Sequence, residues 1–155
     1  MNRSFIFVFI ILAMLSLVNA FPPLLQKRTA LFVQCPPAQG TTTLPTLISV
    51  TLNPDPVVPG KINKFTVSGI LDSDITEKNP LIVFYADPTT GSAISERYYG
   101  HVCEETGCSI EAKTPFSTSV DIPTPQNLPS PFGISVYIVD TESRAFLGCA
   151  YAIVG

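Results

Sequence analysis

FSTSVDIPTPQNLPSPFGISVYIVD, residues 116–140, holds two repeating patterns parted by prolines. In the first, Phe116, Val120 and Ile122 alternate with Ser117, Ser119 and Asp121. In the second, Phe132, Ile134, Val136 and Ile138 occupy every other position. A period of two places such residues on one face of an extended strand, the face that is buried. Between them, IPTPQNLPSP (122–131) carries four prolines. Proline has no N–H to give to a sheet ladder, so this segment is a loop. The stretch therefore reads strand, long loop, strand.

The same punctuation runs outward in both directions. Upstream lie LISVTL (47–52), FTVSGIL (65–71), LIVFYA (81–86) and ISERYYGHV (94–102); downstream lies AFLGCAYAIV (145–154). NPDPVVPG (53–60), Asn79-Pro80 and DPTTG (87–91) break the chain between them. This gives about seven short strands and no helix, the signature of an antiparallel two-sheet sandwich. The inward faces are heavy in Phe65, Phe84, Phe116, Phe132, Ile134 and Val136. Periodicity does not distinguish a filled core from a hollow one.

The first twenty residues, MNRSFIFVFIILAMLSLVNA, read as a secretory signal peptide: Arg3, then an apolar run, then small residues at Val18 and Ala20. The run from Phe5 to Val18 is shorter than the roughly twenty residues that span a bilayer. FPPLLQKR (21–28) ends in a dibasic pair and reads as a propeptide or a flexible tail. The remaining chain, 29–155, is long enough for one domain with a real core. Without Arg3, eight basic residues stand against twelve acidic ones, a net charge near −4. With no basic patch and no RNA-binding aromatic motif, nucleic acid is not an expected partner. The acidic balance limits any membrane contact to a brief, local one. Asn-X-Ser/Thr occurs only at Asn2, inside the signal, so the mature chain has no expected N-glycan.

Four cysteines in a secreted chain point to two disulfides, for which three pairings exist. HVCEETGCSIE (101–111) sets Cys103 and Cys108 either side of a turn that Gly107 suits. A bridge there leaves Cys35 with Cys149, from the start of the domain to its last strand. On the chain-entropy model the short loop contributes roughly 2 kcal/mol and the long one nearly 5. One C-x4-C beside a single His101 fits neither a zinc site nor a C-x-x-C redox pair. No metal and no cofactor is expected, and His101 reads as an ordinary strand or loop residue.

Taken together, ISVTLNPDPVVPGKINKFTVSGIL (48–71), HVCEETGCSIE and the IP…LPSPFGISVYIVD…FLGCAYAIV sweep resemble the ML family of lipid-recognition domains. The resemblance covers roughly 32–155. This family includes fungal phosphatidylglycerol/phosphatidylinositol transfer proteins and Niemann–Pick-type sterol carriers. The resemblance implies an all-β, immunoglobulin-like sandwich with an apolar cavity between its sheets, and the pairings Cys35–Cys149 and Cys103–Cys108. It departs at NPDPVVPG, where some sterol carriers have a further disulfide.

Laid on the alternation, the resemblance makes Val50, Phe65, Val67, Phe84, Phe116, Val120, Phe132, Ile134 and Val136 the lining of a lipid cavity. The expected mouth loops are NPDPVVPG, with Val57 and Val58, and TPQNLPSPFG, with Leu128. The implied partner is a phospholipid or sterol, held by a monomer that touches membranes transiently. The implied location is extracellular or the lumen of a vacuole-like compartment. Arg97, Lys113 and Lys64 are either headgroup contacts or ordinary surface charges. The alternative is a non-catalytic immunoglobulin-like adhesion or interaction module with a filled core. An enzyme is not expected. A hydrolytic triad lacks material in one histidine, and Asp72, Asp74, Asp87 and Glu96 fall in or near loops.

Overall fold

The computed structural model describes residues 29–37, 42–103 and 109–155. The expected signal peptide, the 21–28 leader and Cys108 lie outside the described residues. No described residue is helical.

The two strands of the opening stretch form as their alternation requires. β8 (Pro115–Pro123) buries Phe116, Thr118, Val120 and Ile122. β9 (Phe132–Val139) buries Phe132, Ile134, Val136 and Ile138 on its inner face. They do not pair with each other, because the proline loop carries the chain from one sheet to the other. A three-stranded sheet has the order β2 (Ser49–Asn53), β3 (Ile62–Ile70), β8. A five-stranded sheet has the order β1 (Thr46–Leu47), β10 (Phe146–Val154), β9, β5 (Pro80–Ala86), β6 (Tyr98–His101). All these pairings are antiparallel except β1 with β10. His101 sits in β6 opposite Pro80, half-buried, and its Nδ1 is buried without a hydrogen-bond partner among the described residues.

LISVTL, expected as one strand, is split. Ile48 is buried between β1 in one sheet and β2 in the other, so the chain changes sheets within a single residue. The sheets approach closely there. A Cβ added to Gly148 would stand 2.8 Å from Ile48 and 3.1 Å from Leu71, so only glycine fits. ISERYYGHV is strand only from Tyr98 onward. Its first half is held as a loop by local bonds: the Ser95 hydroxyl accepts from Tyr85 N–H at 3.0 Å and donates to the Glu96 carbonyl at 2.9 Å. Serine side chains that bond to backbone in this way compete with sheet pairing. A small additional pair, β4 (Ile75–Thr76) with β7 (Ser109–Ile110), has no strong sequence signal because each partner is two residues long.

One apolar cluster lies between the sheets, running from Ile48, Leu71 and Ile75 to Phe65, Tyr85 and Phe132. The sheets touch through rings: Phe65 meets Tyr85 edge-on at 6.4 Å, and Tyr85 lies 6.0 Å from Phe132. Such offset and edge contacts each contribute about 0.5–1.5 kcal/mol beyond burial.

The Cys35–Cys149 bridge is present, with Cα atoms 5.8 Å apart across 114 residues. Cys149 precedes the inward Ala150 and is in register with Tyr137 on the opposite face. The bridge therefore lies on the outer side of the five-stranded sheet. Val33 and Tyr151 exchange backbone hydrogen bonds of 2.8 and 2.9 Å and continue that edge. Cys103 is buried, and its expected partner falls in the segment outside the described residues.

Candidate functional site

β2, β5, β8 and β10 end, and β3, β6 and β9 begin, at the same end of the sandwich. That end therefore collects three loops: 54–61, 87–97 and 124–131. The first and third are the two expected mouth loops, and they are clasped together. Gly60 N–H donates to the Thr124 and Pro125 carbonyls at 3.2 and 3.3 Å, and Thr124 N–H donates to the Lys61 carbonyl at 2.8 Å. Gly60 adopts φ +73°, a conformation that side chains resist, which places glycine at this junction.

The mouth residues divide. Val58 is 41% exposed. Val57 is buried in the interior cluster, contrary to its expected place at the rim. Neighbours on an extended chain point to opposite sides, so only one of the two valines can face out. Leu128 is half-buried and packs on the interior cluster.

Of the nine expected lining residues, Val50, Phe65, Val67, Phe116, Val120, Phe132, Ile134 and Val136 belong to the single interior cluster. Phe84 does not, and its assignment is corrected. Val83 and Tyr85 point inward, so Phe84 points outward. There it stacks on Tyr137 at 5.9 Å, Tyr137 stacks on Phe146 at 4.8 Å, and the Arg97 guanidinium rests over the Phe84 ring at 5.1 Å. The expectation failed because LIVFYA is apolar on both faces and carries no phase.

Between the sheets' edges, where β6 faces β8, a cleft of about 460 Å³ opens at the loop end. One wall is Ile94–Tyr98; the other is Ile122–Pro125. Thr124, in this wall, forms a hydrogen bond of 2.9 Å through its Oγ1 with the Tyr85 hydroxyl of the other sheet. Burial pushes the Tyr85 phenol above its ordinary pKa, with Thr124 opposing, so it stays neutral and acts as a hydrogen-bonding group. Arg97 brings a cation to the rim. Of the other two candidate cations, Lys64 is exposed on β3 and Lys113 precedes β8 at the far end. A second cleft, of about 390 Å³, opens on the opposite edge between Ala30–Phe32 and Leu47–Val50.

Sequence reasoning missed Ile94, Tyr98, Ile122 and Thr124 as cleft residues, and it missed Asn63. Asn63 lies in phase with Phe65 and Val67 on β3 and is fully buried. A polar residue at an inward position of the alternation was the available signal. Its amide donates to the Pro54 carbonyl at 3.1 Å, while its Oδ1 accepts nothing from the described residues. An unpaired buried acceptor costs about 1–3 kcal/mol.

The four candidate carboxylates fall at two ends of the sandwich. Asp87 and Glu96 are at the loop end. Asp74, which accepts from Ala112 N–H at 2.8 Å, is at the other end with Asp72. Asp87 accepts from Thr89 and Thr90 N–H and so caps its own turn.

A family model described as the ML domain matches residues 30–154. Among solved structures, the crystal structure of chicken MD-1 complexed with lipid IVa matches at 14% identity. That match covers 79% of this chain and 86% of that chain, with a TM-score of 0.49. No curated protein matches this chain.

Proposed function

Since this chain belongs to the ML-domain family, we propose that it binds a phospholipid or sterol between its two sheets and exchanges it with membranes. The observation that carries the reading is the cleft between β6 and β8. At about 460 Å³ it falls within the roughly 300–1,000 Å³ of small-molecule sites, and Ile122 and Tyr98 in its lining border the apolar cluster. A lipid tail in water is penalised by about 0.8 kcal/mol per CH₂. Burial against Tyr98, Ile122 and the cluster behind them removes that penalty without any chemistry. Entry past Tyr98 and Ile122 requires the Phe65–Tyr85–Phe132 contacts to give way, so the lipid replaces ring contacts with tail contacts.

Val58, Ile62 and Ile94, 41%, 65% and 37% exposed, surround this end and supply the brief membrane contact. The working unit is a monomer. The Cys35–Cys149 bridge fits an oxidising compartment, and secretion or a vacuole-like lumen satisfies that condition.

Native mass spectrometry of the secreted protein, before and after solvent extraction, tests the proposal. The expected result is a mass excess that extraction removes and that is identified as a phospholipid or sterol. The ring contacts across the sheets favour one competing reading, a non-catalytic interaction module with a filled core. Refusal of every lipid in a broad panel would establish that reading in place of the carrier.

A further inference from the structure

Asn63 interrupts the apolar inner face of β3, and its Oδ1 is buried without a donor among the described residues. Buried polar atoms in native proteins are nearly always paired, so this acceptor calls for a partner. The sheet register places it. Asn63 is opposite Ile122, and opposed residues share a face of the sheet. Ile122 lines the cleft. The amide therefore lies one strand, roughly 5 Å, inward of the cleft wall. Thr124, in the cleft wall, is already engaged with Tyr85. The Asn63 amide nitrogen is fixed by the Pro54 carbonyl, which holds the oxygen in one orientation. Asn63 does not itself line the cleft, but a lipid tail that passes Ile122 into the apolar cluster meets this unsatisfied acceptor set among apolar side chains.

We propose that Asn63 is a specificity residue that selects lipids carrying an O–H or N–H donor, the donor pairing with its Oδ1. This rests on the lipid-binding reading above. A ligand with only ester or ether oxygens leaves the acceptor unpaired, whereas one with a free hydroxyl satisfies it. Asn63 makes no covalent step and acts by hydrogen bonding alone.

The test uses the secreted full chain and two matched probe pairs: a sterol with its 3-O-methyl ether, and a long-chain monoacylglycerol with its di-O-methyl ether. Phosphatidylcholine, which has no O–H or N–H, is the fifth ligand. In whichever pair binds, the wild type is expected to favour the free hydroxyl about tenfold, equivalent to roughly 1.4 kcal/mol. Asn63→Leu is expected to reduce that preference to about twofold or less while binding the ether as well as the wild type does. Equal binding of hydroxyl and ether by the wild type would overturn the inference. A preference that survives Asn63→Leu, or uptake of phosphatidylcholine alone, would do the same, and each of these leaves the lipid-carrier reading standing. Binding of none of the five, nor of any lipid in the wider panel, sinks the carrier reading and this inference with it. The wild-type comparison decides the matter even if Asn63→Leu does not fold, which circular dichroism reports.

Discussion

Phe65 and Phe84 are both phenylalanines on strands, nearly fully buried, and they do opposite jobs. Phe65 sits between the sheets against Tyr85; Phe84 sits outside them under Arg97. Phe84→Ala should lower stability by about 3 kcal/mol, the scale of losing a packed ring, and leave lipid uptake intact. Phe65→Asp should abolish uptake, because an unpaired charge in an apolar site is costly. Paired melting and lipid-binding measurements check both, with circular dichroism to separate lost binding from lost fold. Loss of uptake in a folded Phe84→Ala protein would return that ring to the site. At this scale the sequence was legible wherever polar and apolar residues alternate, as in β3, β8 and β9. It was illegible in LIVFYA, where both faces are apolar, and at Asn63, whose inward phase was visible but whose unmet acceptor needed the surrounding atoms to be placed.

The main strands follow from period two and their ends from proline and glycine. What escaped were elements too short to carry a period: β4, β7 and the split at Ile48. The loops hold their shape by side-chain bonds that composition does not announce. Asp87 accepts from Thr90 and Thr89 N–H, and Asp140 from the Ser143 hydroxyl and Glu142 N–H. These bonds hold both carboxyls below their ordinary pKa, those to Thr90 and Ser143 contributing most. Their folded pKa values lie below the unfolded ones. The loops are therefore stabilised above about pH 4, and that contribution fades as pH falls through the folded values. The difference in melting temperature between wild type and Asp140→Ala should be constant above pH 5 and shrink below pH 4. A difference that grows toward acid would contradict the assignment. Asp87→Asn should show the same sign at the loop beside the cleft.

For the molecule as a whole, the cysteines set what can come apart. Replacing Cys35 and Cys149 with alanine should cost about 3–5 kcal/mol, since the bridge closes a long loop. Denaturant unfolding measures it. Non-reducing peptide mapping should find Cys103 joined to Cys108, and a Cys103 fragment linked to Cys35 or Cys149 would overturn the framework. The two-sheet architecture and the long bridge could be read from the chain. The proline loops pointed to the end of the sandwich where the cleft lies, but not to its edge, which depends on strand pairing in three dimensions rather than on any one segment.

The switch of sheets at Ile48 gives the sandwich the anatomy of a bound book. Backbone crosses between the covers at Ile48, the spine, while β6 and β8 form the fore-edge. The disulfide is sewn onto one cover only and does not tie the pages together, and at the fore-edge β6 and β8 are joined through the long connection 102–114. Amide hydrogens of Tyr98–His101 and Ile122 should accordingly exchange faster than those of Ile48 and Val50. Lipid loading should slow the first group and leave the second unchanged.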